Sequence, residues 1–165
     1  MKILVLSDSH SSLRYMMDCV DVLQPDAMIH LGDYYDDGET LHEKYPDIPF
    51  FQVPGNCDCY RCSPGIPQIR VEDIFGVKLY LTHGHRHDVK QTMTRLLHDA
   101  KDCGVQGVLY GHTHVADCRQ DDSGMWILNP GSCGYGDRSA GLIETENGCI
   151  VSCWILRQRD LEAMG

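Results

Sequence analysis

The sequence lacks a long hydrophobic run. The apolar stretch that follows Met1 ends at Asp8, so it is too short for a signal peptide or a membrane-spanning helix. We therefore expect a cytoplasmic protein that has no membrane partner.

Basic residues are also scarce, since 14 Lys and Arg stand against 24 Asp and Glu and give a formal net charge of -10. Non-specific nucleic-acid binding needs a basic surface, so we expect no nucleic-acid-binding surface. The charge still permits a phosphorylated substrate, because bound cations can reverse the local field.

A disulfide framework is missing as well. The nine cysteines are odd in number, and their spacing follows no disulfide pattern, so we interpret them as reduced thiols of the cytosol. No repeat, linker or low-complexity segment interrupts the 165 residues. This length predicts a single domain that covers residues 1–165.

Four short apolar runs predict buried strands, at residues 3–6, 27–31, 49–53 and 107–110. Apolar residues at helical spacing predict two helices. Ser11 or Ser12 can cap a helix that Pro25 ends, and Asp88 can cap a helix that Gly104 closes.

Three hairpins are predicted at residues 69–81, 118–128 and 142–154, the last around Asn147-Gly148. The acidic stretch 34–39 is interpreted as a solvated loop that leads into a short helix. We expect an irregular loop at 59–67 and a polar tail at 157–165 that can fray.

Side chains suited to metal binding follow five of these strands. They are Asp8 and His10, Asp33, Asn56, His83, and His112 with His114. In open α/β folds, ligands bind at the carboxyl ends of the strands, and each of these side chains can donate to a hard or borderline divalent metal. A lone histidine or aspartate usually caps a turn, but that interpretation is hard to sustain for seven such residues.

In order along the chain, the blocks resemble the signature of the calcineurin-like metallophosphoesterases. The blocks are Asp8-x-His10, Gly32-Asp33, Gly55-Asn56, His83 and Gly111-His112-x-His114. The turn Asn129-Pro130-Gly131-Ser132 matches the small bacterial and archaeal branch of that family. The resemblance implies an α/β fold, in which a two-sheet β-sandwich is flanked by helices in four αββα layers.

The resemblance also implies a dinuclear metal centre. Carried over residue by residue, the ligands are Asp8, His10 and His114 for one ion, Asn56, His83 and His112 for the other, and Asp33 as the bridge. Mn²⁺ is the expected ion, with Fe²⁺, Zn²⁺, Co²⁺ and Ni²⁺ as alternatives, because all of them accept mixed nitrogen and oxygen ligands.

The implied activity is that of a metal-dependent phosphodiesterase for small phosphodiesters, with a metal-bridging hydroxide as the nucleophile. The alternatives are a phosphomonoesterase or protein phosphatase, and a catalytically silent binding scaffold such as the retromer subunit of this fold. All seven ligand positions are intact, which favours the enzyme. The resemblance also implies a homodimer or homotetramer.

One position departs from the family pattern. Many members follow Gly-Asn with a histidine that protonates the leaving group, and Cys57 stands there in this chain. The catalytic candidates are therefore Asn56, whose amide could face the substrate, His85, which could touch it, and Asp58, which could orient a ligand. Cys57 could also be a ligand, a redox sensor or part of a zinc site with Cys59 and Cys62, but a plain thiol is favoured.

Overall fold

The computed structural model describes Met1–Gly165 and contains two five-stranded sheets. The strands are β1 (Lys2–Leu6), β2 (Ala27–His30), β3 (Phe50–Gln52), β4 (Ile69–Ile74), β5 (Val77–Thr82), β6 (Gly107–Leu109), β7 (Asp117–Gln120), β8 (Trp126–Asn129), β9 (Ser139–Glu146) and β10 (Cys149–Arg157). The first sheet has the order β10-β9-β1-β2-β3, and the second has the order β4-β5-β6-β8-β7.

Four α-helices cover the outer faces of the two sheets. They are α1 (Leu13–Leu23), α2 (Tyr35–Lys44), α3 (Thr94–Asp102) and α4 (Gln158–Met164). Helices α1, α2 and α4 pack on the first sheet, and α3 packs on the second. This is the four-layer αββα arrangement, so the predicted fold class is confirmed. None of the helices has the length and apolar character needed to cross a membrane.

Strand β1 lies in the middle of the first sheet, and both of its faces are buried. Ile3 and Val5 face the core between the two sheets, whereas Leu4 and Leu6 pack under the helices. The alternation follows from the two-residue period of a strand. A continuous apolar run therefore suits this position, as the sequence predicted.

Three adjacent strands in each sheet run parallel to one another. β1 pairs with β2 and β2 with β3, and in the other sheet β5 pairs with β6 and β6 with β8, all in parallel. The carboxyl ends of parallel strands lie at one edge of a sheet. The fold thereby gathers the segments that follow β1, β2, β3, β5 and β6, and these segments carry the seven candidate ligands.

The predicted start of α3 was wrong. The helix begins at Thr94, and Met93 occupies its N-cap position. Asp88 has a left-handed backbone (φ +54°) that ends a short 3₁₀ turn at His85–His87, and its carboxylate binds Arg95 over 3.0 Å. A residue that closes one turn in this conformation cannot also begin the helix.

Two other segments are more ordered than the sequence predicted. The acidic stretch lies largely within α2, and Asp37 is buried because it accepts hydrogen bonds from Ser9 Oγ and the Ser11 N–H. The tail forms α4, since its Leu161 side chain is buried in the core cluster that contains α1. Ser12 occupies the N-cap position of α1, as expected, but its side chain makes no capping hydrogen bond.

Candidate metal centre

Asp8 follows β1 and is fully buried at the sheet edge. Its Oδ1 lies 3.0 Å from His114 Nε2, and its Oδ2 accepts hydrogen bonds from Ser7 Oγ and the His112 N–H. Burial opposes ionisation, but the His114 contact, the nearby His83 and the Ser7 hydrogen bond outweigh it and lower the Asp8 pKa. The group is therefore a carboxylate at neutral pH.

Asp33 follows β2 and lies between two histidines. Its Oδ2 is 3.9 Å from His10 Nε2, and its Oδ1 is 3.5 Å from His83 Nε2. The backbone N–H of Cys57 donates to the same Oδ1 over 2.9 Å. The Asp33 carboxylate thus lies between His10, a candidate ligand of one ion, and His83, a candidate ligand of the other.

Four of the candidate ligands form a compact group that fits one cation. The ligand atoms of Asp8, His10, Asp33 and His114 all lie within 4.8 Å of one another. His10 Nε2 is buried without a hydrogen-bond partner, which is rare for a polar atom unless something else binds it. Burial lowers the His10 pKa, so the ring is neutral and can donate a lone pair to a metal.

Beside this group, His83 is fully buried and held in one tautomer. Its Nδ1 lies 2.8 Å from the carbonyl oxygen of Leu31, which can only accept a hydrogen bond, so Nδ1 carries the proton. Its Nε2 lies 3.1 Å from Asn56 Oδ1 and 3.5 Å from Asp33 Oδ1, so the three side chains converge on one point.

The rings of His112 and His85 lie beside that of His83. The rings of His83 and His112 are 5.1 Å apart, and that of His85 is 5.4 Å from His83. Burial and the neighbouring His83 lower the pKa of His112 to about 4, so its ring is neutral at physiological pH. Burial also lowers the His85 pKa, and its Nδ1 is buried without a partner.

The Asp58 carboxylate binds backbone rather than facing the ligand atoms. Asp58 is fully buried. Its Oδ2 accepts from the N–H groups of Gly55 and Asp33 over 2.7 and 2.9 Å, and its Oδ1 accepts from those of Tyr34 and Tyr35 over 2.8 Å each. These four hydrogen bonds fix the turn that carries Asp33.

The backbone of the site is unusual in one respect. Five candidate ligands have left-handed φ angles, from +44° to +69°; they are Asp8, His10, Asp33, His112 and His114. For a residue other than glycine, this conformation costs about 1–2 kcal/mol. These sharp turns occur where the chain has left the strands, at the positions whose side chains approach one another in the site.

Close approach of the segments depends on glycine. A Cβ atom at Gly111 would lie only 2.1 Å from Ser7 Oγ, and one at Gly55 would lie 2.2 Å from Asp33 Oδ1. Any larger residue would push the candidate ligands apart. This is the physical reason for the glycines in the Gly-Asn and Gly-His-x-His blocks.

Two tyrosines of the site were missed by the sequence analysis. Tyr34 meets the ring of His10 edge-on at 4.9 Å, and Tyr135 lies 4.7 Å from the same ring. Tyr135 also stacks on His114 at 5.5 Å and stays 56% exposed. Tyr34 directly follows the Gly-Asp block, which was an available signal, whereas nothing in the sequence pointed to Tyr135.

The comparisons with known proteins agree with this arrangement. Residues 1–148 match the calcineurin-like phosphoesterase superfamily domain, and the chain belongs to that family. It is similar to the probable metallophosphoesterase YsnB of Bacillus subtilis, with 30% identity over 135 residues, which are 80% of this chain and 75% of the relative.

A phosphodiesterase of Methanocaldococcus jannaschii is 27% identical over 164 residues, covering 88% of this chain and 94% of the relative. The fold is also that of Vps29 from Entamoeba histolytica, solved in complex with Zn²⁺. The two structures give a TM-score of 0.70 at 20% identity over 95% of this chain and 99% of that one. Membership of the family indicates a phosphoric ester hydrolase that uses divalent metal.

Proposed function

We propose that this protein is a metal-dependent phosphodiesterase that hydrolyses small phosphodiesters. The observation that carries the proposal is the compact group of Asp8, His10, Asp33 and His114 at the strand ends, in which His10 Nε2 is buried without a hydrogen-bond partner. The diester preference is supported by the phosphodiesterase of M. jannaschii, to which the chain is similar over most of its length.

Two divalent ions would be held by the seven candidate ligands. Asp8, His10 and His114 would hold one ion, and Asn56, His83 and His112 would hold the other. Asp33 would bridge the two, since its two oxygens face His10 and His83. Bound divalent ions supply an electrophile for the phosphoryl oxygens and a water of lowered pKa.

Other groups hold the proposed ligands in place or face the substrate. The hydrogen bond to Leu31 O fixes the His83 ring, and Asp58 holds the turn of Asp33. His85 lies beside His83 and His112 with a free Nδ1, so it is the side chain that we assign to substrate contact. Its lowered pKa makes it a weak proton reservoir at neutral pH.

A catalytically silent scaffold is the second candidate, because Vps29 has the same fold. The full set of seven ligand-type residues favours the enzyme.

A phosphomonoesterase or protein phosphatase is the third candidate. A thiol at position 57 in place of the family's histidine gives little help to a departing alkoxide, which favours diesters with good leaving groups.

The test compares a bis-aryl phosphodiester with the matching aryl monoester on one metal-free sample, to which Mn²⁺, Fe²⁺, Zn²⁺, Co²⁺ or Ni²⁺ is added back. We expect faster turnover of the diester and none without metal. Asp33→Asn should reduce kcat/KM by roughly 100-fold or more, because it weakens both ion sites. Asp47→Asn, at an exposed position without polar contacts, is the control.

Three results would contradict the proposal in different ways. Full activity of Asp33→Asn in metal-free buffer would exclude the proposed metal chemistry. Faster hydrolysis of the monoester would favour the phosphomonoesterase. Metal binding without turnover of either ester would favour the scaffold.

A further inference from the structure

Two cysteines face each other on the side of the sandwich formed by β7 and β10. Cys118 lies in β7, an edge strand of the second sheet, and Cys153 lies in β10, an edge strand of the first. The two strands pack against each other. The Cys118 thiol donates to Cys153 Sγ over 2.9 Å, which is longer than a covalent S–S bond of about 2.05 Å.

Packing alone is the simpler explanation for this pair, since both side chains border the core between the sheets. Two observations go beyond it. Both residues are only half-buried, so a small reagent can reach the sulfurs. The two sulfurs are also directed at each other. By contrast, the thiols of Cys62 and Cys133 are directed at backbone carbonyl groups.

We propose that Cys118 and Cys153 are a covalent modification site, at which exchange with a low-molecular-weight disulfide forms a bond between the two sheets. The Cys118 thiolate attacks one sulfur of the reagent and expels the other as a thiolate. Cys153 then loses its proton and attacks the Cys118 sulfur of the mixed disulfide, which expels the second reagent thiolate. Two protein thiols are oxidised, and one reagent disulfide is reduced.

The local chemistry favours Cys118 as the first nucleophile. The Cys153 thiol can donate to the Cys118 sulfur once that sulfur is a thiolate, and this hydrogen bond lowers the Cys118 pKa. The thiolate is the reactive form of cysteine. The same contact leaves Cys153 protonated and beside Cys118, in position to resolve the mixed disulfide.

The bond would anchor the segment that leaves the candidate metal centre. Cys118 lies four residues after His114, at the point where the loop enters β7. The two cysteines are 35 positions apart, and a closed loop of that length restricts the unfolded chain substantially. We therefore expect the oxidised form to be more heat-stable, and this expectation is independent of the proposed phosphodiesterase activity.

The experiment incubates the purified full chain in a series of glutathione redox buffers, alkylates the remaining thiols and maps disulfides by peptide fragmentation. We expect a Cys118–Cys153 link and a rise in Tm of roughly 5–15 °C over the reduced protein. Cys118→Ser and Cys153→Ser should abolish both effects. Cys103→Ser and Cys149→Ser are matched controls, because Cys103 lies on the same tryptic peptide as Cys118 and Cys149 lies on the same one as Cys153. Both variants should leave the link in place.

Cys59 is exposed, so its glutathionylation would show that the oxidant has reacted. Absence of the Cys118–Cys153 link under those conditions would overturn the proposal, and so would a link between other cysteines with the same rise in Tm. The wild-type map alone decides the question if a serine variant fails to fold.

Discussion

The backbone N–H of Cys57 donates a hydrogen bond of 2.9 Å to Oδ1 of Asp33, the proposed bridging carboxylate. The contact is made by the main chain, so Cys57→Ala preserves it. Burial and the neighbouring Asp33 raise the pKa of the Cys57 thiol to about 11, and the side chain is therefore neutral at pH 7. We expect Cys57→Ala to retain kcat/KM for the aryl diester within about five-fold.

The comparison variants are Asn56→Ala and His112→Ala, each of which should lose roughly 100-fold or more because a proposed ligand is removed. Metal content is measured on every variant. A large loss of activity in Cys57→Ala at unchanged metal content would show that the thiol takes part in the chemistry.

Asp58 should matter for stability as well as for activity. Its carboxylate accepts four backbone hydrogen bonds in a buried position, and the alanine variant leaves those N–H groups unpaired. We expect Asp58→Ala to lower the free energy of unfolding by about 3–5 kcal/mol, as measured by urea denaturation. Asp58→Asn keeps one acceptor oxygen and should lose less.

A merely structural Asp58 would leave metal affinity unchanged in the folded variant. Because the carboxylate holds the turn of Asp33, we expect Asp58→Asn to weaken metal binding by about 10–100-fold in calorimetry. Asp47→Asn serves again as the control. Unchanged metal affinity of Asp58→Asn would remove the positioning role.

Tyr135 should influence substrate binding more than turnover. Its exposed ring lies over His10 and His114 and can stack on an aromatic ester group. We expect Tyr135→Ala to raise KM for an aryl diester by about 3–10-fold, with little change in kcat, while Tyr135→Phe stays near the wild type. An equal rise of KM for an alkyl diester would contradict stacking as the cause.

Asp121 should make part of the stability depend on pH. Hydrogen bonds from the Ser123 side chain and from Lys101 lower its pKa below the ordinary 3.8. A pKa that is lower in the folded state than in the unfolded chain contributes stability above about pH 4, and the contribution is lost as the pH falls toward the folded value. Wild type should therefore be more stable than Asp121→Asn at neutral pH, and the difference should shrink in acid.

Urea denaturation at about pH 7, 5 and 3 measures this difference. Asp122→Asn changes an exposed neighbour without polar contacts and should track the wild type throughout. A difference between Asp121→Asn and wild type that is constant over the whole range would show that the carboxylate does not titrate as expected.

Local signals explain how much of the fold could be predicted from the sequence. Asn147 and Gly148 both adopt positive φ angles, as a two-residue hairpin turn requires, so the β9–β10 hairpin was evident from two residues. The five sequence blocks that carry the candidate metal ligands were evident for a similar reason, since each comes soon after its own strand. Parallel pairing then brings them together.

The features that were missed depend on distant contacts. Tyr135 reaches His10 only because the loop after β8 returns to the sheet edge, and α4 is stabilised by the burial of Leu161 in the core cluster of α1. Asp37 is buried because Ser9 and Ser11 lie opposite it. No window of the sequence contains both partners of these contacts. Assembly as a homodimer or homotetramer stays a prediction.

The left-handed backbone at Asp8, His10, Asp33, His112 and His114 has an evolutionary consequence. Selection for a metal site maintains these residues against a conformational penalty that glycine would remove at once. A descendant released from catalysis would lose this penalty at each ligand that it replaced by glycine, whereas at Asp8 the replacement would also leave the donors of Ser7 and His112 unpaired. In such a lineage, loss of the ligands would be favoured rather than neutral, and the sandwich would outlast the chemistry it first supported.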